Sequence, residues 1–239
     1  LGSGRFKEKF GDKPPFEIIN EHLARVRNIC RDEGLKPMIW SDMYFRLGSK
    51  THGYYDMEWR IPGEIAADIP KDVQLVYWDY YHADVETYRK MIAFHRQLGG
   101  EPLMAGGIWT WSHMWCALPW SFTAVNACMS ACRAEGLKEV FMTMWGDEGM
   151  EVDLFSALPG IQYFCEHAFG AADPMKAAKK HFAGVCGCPF EPWVRASGLD
   201  SIPPVGQPEM STAPLGRSLL WQDPALAGLW SRTRPDGEA

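Results

Sequence analysis

The stretch Val140-Phe141-Met142-Thr143-Met144-Trp145-Gly146-Asp147-Glu148-Gly149-Met150-Glu151 decides the reading of the fold. An apolar run with β-branched and large side chains stops abruptly at an aromatic ring and carboxylates. That pattern predicts a buried parallel strand whose carboxyl end opens into a site. Three earlier stretches repeat it: Met38-Ile39-Trp40-Ser41-Asp42, Leu75-Val76-Tyr77-Trp78-Asp79-Tyr80 and Gly107-Ile108-Trp109-Thr110-Trp111. Four strands feeding one pocket are expected.

The segments between these runs read as helices. Phe16, Ile19, Leu23, Val26 and Cys30 fall at spacings of three and four, with Pro14-Pro15 before them and Gly34 after, which predicts a helix over 16–33. A strand over 35–40 follows. Residues 44–72 then form a long connection carrying Tyr54-Tyr55-Asp56 and Trp59, and a long loop at a strand's carboxyl end commonly carries function. After a strand over 73–78, Asp84 caps a helix that stops at Gly99-Gly100. A strand over 103–109 leads to a helix capped by Ser121 and ended by Gly136, then to a strand over 140–145 and a helix over 154–169.

Strand, loop and helix repeated four times predict an α/β fold with a parallel sheet and right-handed crossovers. Four such units make half of a (β/α)8 TIM barrel. Residues 1–171 are assigned to that half barrel. Residues 172–239 are read as an appended C-terminal region, helical from Asp173-Pro174 with Met175, Ala178, His181 and Phe182 on one face, then irregular.

Composition narrows the function classes. A length of 239 residues suffices for one large domain, or one domain with a tail. Eleven Trp beside 8 Tyr and 12 Phe supply many stacking surfaces. A formal charge of -6 without a long basic run argues against nucleic acid as a partner, and no apolar run reaches membrane-spanning length. Seven cysteines, an odd number without C-x-x-C units, read as free thiols and favour a reducing, cytoplasmic compartment. His82 and His113 lack ligand spacing, so neither a metal nor a cofactor is expected. Gly106-Gly107 is expected to let a neighbouring ring or backbone approach the strand closely.

The strand ends hold the candidate site. Trp40, Trp78, Trp109 and Trp145 occupy equivalent positions, and strand ends of an α/β barrel converge on the face where active sites sit. Indole rings there would stack on the C–H faces of a sugar, while Asp42, Asp79 and Asp147 accept from its hydroxyls. Tyr80 or Tyr81 could supply a phenol hydroxyl, and either Trp109 or Trp111 could face inward. Glu148 and Glu151 could instead be the acid and base of a two-carboxyl glycosidase.

Pro37-Met38-Ile39-Trp40-Ser41-Asp42-Met43, Tyr77-Trp78-Asp79-Tyr80-Tyr81-His82, Gly106-Gly107-Ile108-Trp109-Thr110-Trp111 and Thr143-Met144-Trp145-Gly146-Asp147, in that order, resemble glycoside hydrolase family 20. The nearest likeness is to its bacterial, streptococcal-type branch, and it extends to Leu219-Leu220-Trp221-Gln222-Asp223-Pro224. The resemblance implies strands five to eight of the barrel and an exo-β-N-acetylhexosaminidase acting on glycans that end in N-acetylglucosamine or N-acetylgalactosamine. In that family the substrate's own acetamido carbonyl attacks the anomeric carbon, an Asp orients it and an adjacent Glu protonates the leaving oxygen. The family's Asp–Glu pair shortly precedes a Leu-Gly-x-Gly-Arg loop, which Leu1-Gly2-Ser3-Gly4-Arg5 matches, so the pair is expected upstream of residue 1. By resemblance Trp40, Trp78, Trp109 and Trp145 wall the pocket. Tyr80 or Tyr81 donates to the acetamido oxygen, Asp147 accepts from the distal hydroxyls, and Asp42 and Asp79 are further candidates. The alternative is a carbohydrate-binding barrel without chemistry, or a different barrel glycosidase using Glu148.

Overall fold

The computed structural model describes residues 2–61, 63–147, 149–200, 215–221 and 225. Leu1, Glu148 and Gln222-Asp223-Pro224 lie outside the described residues, as do 201–214 and 226–239 of the C-terminal region.

Four strands, β1 (Met38–Trp40), β2 (Gln74–Trp78), β3 (Leu103–Gly107) and β4 (Val140–Thr143), form one sheet in chain order. Ile39 lies opposite Leu75, and Tyr77 opposite Met104, in parallel register. Between β3 and β4 the bonds Met104 N–H to Glu139 O (3.0 Å) and Ile108 N–H to Thr143 O (2.9 Å) keep one sequence offset, as parallel pairing requires. Parallel neighbours need a crossover, and helices supply it. Before β1 lie α1 (Arg5–Phe10) and α2 (Pro15–Asp32). Between β1 and β2 lie α3 (Asp42–Gly48) and α4 (Gly63–Asp68), then α5 (Val85–Gln97) precedes β3 and α6 (Leu118–Glu135) precedes β4. The chain continues through α7 (Leu158–Ala168), α8 (Pro174–Cys186), α9 (Phe190–Ala196) and α10 (Leu215–Trp221). The architecture is therefore mixed α/β, a parallel sheet alternating with helices.

Local signals explain several boundaries. The Asp84 carboxylate accepts the N–H of Thr87 at 2.8 Å and caps α5, and Asp173 accepts that of Lys176 at 3.0 Å and caps α8. Ser121 does not cap α6, contrary to expectation. The helix begins three residues earlier, at Leu118, and the Ser121 hydroxyl bonds back to Ala117 O at 2.8 Å.

Two further expectations are corrected. The stretch that opened the reading is not a buried strand: Phe141 is 36% and Met144 is 41% exposed. On β1, Met38 and Trp40, two residues apart and so on one face, are also exposed. Burial belongs to β2 and β3, which have neighbours on both sides, whereas β1 and β4 end the sheet. Nor is 44–72 an open loop. It holds most of α3 and all of α4, and Tyr44, Phe45, Tyr54 and Trp59 are core.

Contacts divide the chain into two compact units, Leu1–Asp79 with Asp84–Ala105 and Ala131–Val140, and Tyr80–Ala83 with Gly106–Ser130 and Phe141–Ala239. In the first, Phe45 packs on Trp59 (4.7 Å) and His95 (4.4 Å), and Tyr77 on His95 (4.9 Å). In the second, Ile108, Cys116, Leu118 and Ala157 are fully buried, with Phe122, Met142, Ile161 and Trp193 against them. Helices α7 and α8, on either side of residue 171, belong to this same unit and are joined by His181 and Glu166 at 2.7 Å.

Candidate functional site

In the second unit the residues following β2 and β3 build an aromatic cluster. Trp109 and Trp111 stack with centroids 4.2 Å apart and planes inclined by 29°. Tyr80 meets Trp111 edge-on at 4.8 Å, and Tyr81 meets Trp109 edge-on at 5.4 Å. Tyr80, Trp109 and Trp111 are buried, while Tyr81 is 45% exposed and is the ring with a solvent-facing side. Aromatic pairs favour such offset and edge-on geometry because ring edges are positive and faces negative.

The close approach depends on Gly107. A Cβ there would lie 2.8 Å from Cβ, Cγ and Cδ1 of Tyr80, so glycine is required for the ring to lie against the strand. The indole N–H of Trp120 then holds the Tyr80 carbonyl at 2.9 Å.

Polar groups complete the cluster. Nδ1 of His113 sits 2.9 Å from the Trp111 carbonyl. A carbonyl only accepts, so Nδ1 carries the proton and Nε2 of the neutral ring is a lone-pair acceptor. That Nε2 and the indole Nε1–H of Trp109 are both buried with no hydrogen-bond partner. One is an acceptor and the other a donor, within rings whose centroids are 6.5 Å apart. Between Trp111 and His113, Ser112 adopts φ 62°, a left-handed conformation that a non-glycine residue holds only when its surroundings impose it. Thr110 bonds the carbonyl of Trp145 at 2.8 Å, while Trp145 is half-buried and Asp147 exposed.

The remaining candidates lie in the first unit. Trp78 packs against Tyr54 (4.8 Å) and Tyr55 (5.9 Å), and the Tyr55 hydroxyl donates to its carbonyl at 3.0 Å. Asp79 is fully buried and accepts from the Tyr77 hydroxyl at 2.8 Å. Burial pushes that phenol well above its ordinary pKa, so it remains a donor. Asp42 opens α3 and pairs with Arg46 at 3.2 Å, one turn on. Trp40 is 41% exposed. Beside them runs a buried network absent from the sequence reading. The Ser41 hydroxyl contacts His95 Nε2 (2.7 Å), Tyr54 Oη (2.9 Å) and Val76 O (2.9 Å), and His95 Nδ1 donates to Met91 O (2.7 Å).

Each unit thus gathers part of the candidate set. Trp111 appears in the sequence as an alternative to Trp109, but both rings belong to the cluster. His113 reads as a loop residue, and its signal is only that it lies two residues beyond the Trp-Thr-Trp run. Among the described residues, no group of three or more His, Cys, Asp or Glu is placed to hold a metal, and no helix is long and apolar enough to cross a membrane. All seven cysteines are free, and burial pushes the Cys116 thiol up to about 12. Chemically, the second unit gathers packed aromatic rings together with one donor and one acceptor. No family model matches the chain, and no curated protein matches it.

Proposed function

We propose that this chain is the half of a family 20-type (β/α)8 barrel that carries strands five to eight, and that its aromatic cluster receives a terminal β-linked N-acetylhexosamine. The carrying observation is the pairing of stacked rings with an unpartnered indole N–H on Trp109 and an unpartnered Nε2 on His113. A sugar has that complementarity, with apolar C–H faces for the rings and hydroxyls that both donate and accept. Pairing of parallel strands in chain order, with apolar side chains exposed on the two end strands, supports the barrel half.

In this reading the second unit binds and orients. Trp109 and Trp111 form the hydrophobic wall, Tyr81 is its solvent-facing edge, and Asp147 accepts from distal hydroxyls. Attack by the acetamido carbonyl and protonation of the leaving oxygen require the family's Asp–Glu pair, which this reading places upstream of Leu1. The chain's own part is recognition.

Titration of intrinsic tryptophan fluorescence with N-acetylglucosamine and with glucose tests the reading. Saturable binding of the acetamido sugar, weaker for glucose and lost in Trp109→Ala, is expected. No saturable change with either sugar would sink it. Turnover of a chromogenic N-acetyl-β-glucosaminide by the 239-residue chain that vanishes in Glu148→Gln would establish the two-carboxyl alternative instead.

A further inference from the structure

The segment after β3 owes its shape to residues far along the chain, all within the second unit. Asp200 ends a 3₁₀ turn, Ser197–Asp200, and is only 3% exposed. Its Oδ2 accepts the backbone N–H of Met114 at 2.8 Å and of Trp115 at 3.2 Å, and its Oδ1 accepts that of Arg217 at 3.3 Å. A buried carboxylate is stable only where donors replace water, and here three backbone N–H groups do so. Two of them belong to the residues directly after Ser112 and His113.

We infer that Asp200 is the positioning residue of the aromatic site. It anchors 114–115, so that the left-handed Ser112 turn is held and the Trp111 ring stays stacked on Trp109. The same anchor keeps the His113 ring against the Trp111 carbonyl. The inference rests on the sugar reading for the ligand and on geometry alone for the loop.

Neighbouring contacts act in the same direction. The Ser197 hydroxyl donates to Cys116 O at 2.7 Å and accepts the Leu118 N–H at 3.3 Å, while Trp193 O accepts the Trp115 indole N–H at 2.9 Å. Helix α10 seats directly on the turn, where a Cβ at Gly216 would collide with Leu199 O. From there the Arg217 guanidinium pairs with Glu151, beyond β4, at 3.3 Å. Residues that read as an appendage therefore shape the site.

The test compares the full chain with Asp200→Ala and Asp200→Asn. Stacked indoles give an exciton couplet in far-UV circular dichroism, and Trp109→Phe assigns it to the Trp109–Trp111 pair. The second readout is affinity for N-acetylglucosamine. In Asp200→Asn the single amide oxygen can keep both N–H groups of 114–115, leaving its NH2 opposed to the Arg217 N–H. Asp200→Ala supplies no acceptor. The alanine chain is expected to lose the couplet and bind the sugar about tenfold more weakly, the equivalent of one lost charge-assisted hydrogen bond, with the asparagine chain close to wild type.

An unchanged couplet in Asp200→Ala overturns the inference, and so does a lost couplet with undiminished affinity. If wild type binds no sugar, the sugar reading fails. The couplet then decides the inference by itself: lost with alanine and kept with asparagine supports it, the same in both overturns it. Should the alanine chain not fold, Asp200→Ser, which keeps an acceptor too short to span both N–H groups, enters the same comparison.

Discussion

The hydroxyl of Ser121 accepts the backbone N–H of Trp109 at 2.9 Å while donating to the Ala117 carbonyl at 2.8 Å. The first turn of α6 thus fixes the backbone of a residue of the aromatic cluster. Ser121 is 1% exposed, so Ser121→Ala leaves the Trp109 N–H buried and unbonded, a cost of about 1–3 kcal/mol. Urea denaturation should show that loss with an unchanged m-value. A variant as stable as wild type would show that the backbone finds another acceptor.

Gly107→Ala places a methyl 2.8 Å from three carbons of Tyr80. Overpacking of this kind costs about 1–3 kcal/mol. In a double-mutant cycle, Tyr80→Ala should relieve part of it, because Cγ and Cδ1 are removed while Cβ stays. Strict additivity of the two changes would contradict the proposed close approach.

His95 sets a pH dependence. Burial pushes its pKa down to about 3, because the charged ring would lose its hydration, and this outweighs the Nδ1–H bond to Met91 O, which acts in the opposite direction. The unfolded chain, with an ordinary His pKa of about 6.5, binds the proton that the folded chain refuses between these values. Stability contributed by neutral His95 is therefore present above about pH 6.5 and declines as pH falls toward about 3, by at most about 1.4 kcal/mol per unit. Unfolding free energies measured from pH 7 to pH 5 should fall more steeply in wild type than in His95→Gln, by about 2 kcal/mol over the window. Parallel profiles would exclude His95 as the source.

Trp109→Phe keeps an aromatic face and deletes the unpartnered donor. If that N–H meets a sugar hydroxyl, affinity for N-acetylglucosamine falls roughly fivefold, about 1 kcal/mol, apart from the stability lost with the packing of the buried indole. Isothermal titration beside thermal melting separates the two effects. Equal affinity would leave the indole N–H outside the contact.

Alternation of strands and helices, the cap at Asp84 and the helix start at Asp173-Pro174 were legible because they are local. Each cap joins residues three apart, and apolar runs ending in Trp mark strand ends without reference to the rest of the fold. Ser121 misled because a serine early in a helix resembles a cap, while its actual partner, Trp109, lies in the preceding segment. The 44–72 connection looked like a functional loop because its rings could not be assigned to a core that forms only on packing.

By itself the sequence determined the alternation of strands and helices, a parallel sheet of four βα units, and a concentration of aromatic rings at strand ends. Only the tertiary structure decided which of those rings are buried, that Trp109 and Trp111 stack rather than alternate, and that His113 and Asp200 belong with them. The reason is separation: Asp200 reaches Met114 across 86 positions and Ser41 reaches His95 across 54. Contacts of that span leave no local periodicity, because their geometry arises only when the intervening elements have packed.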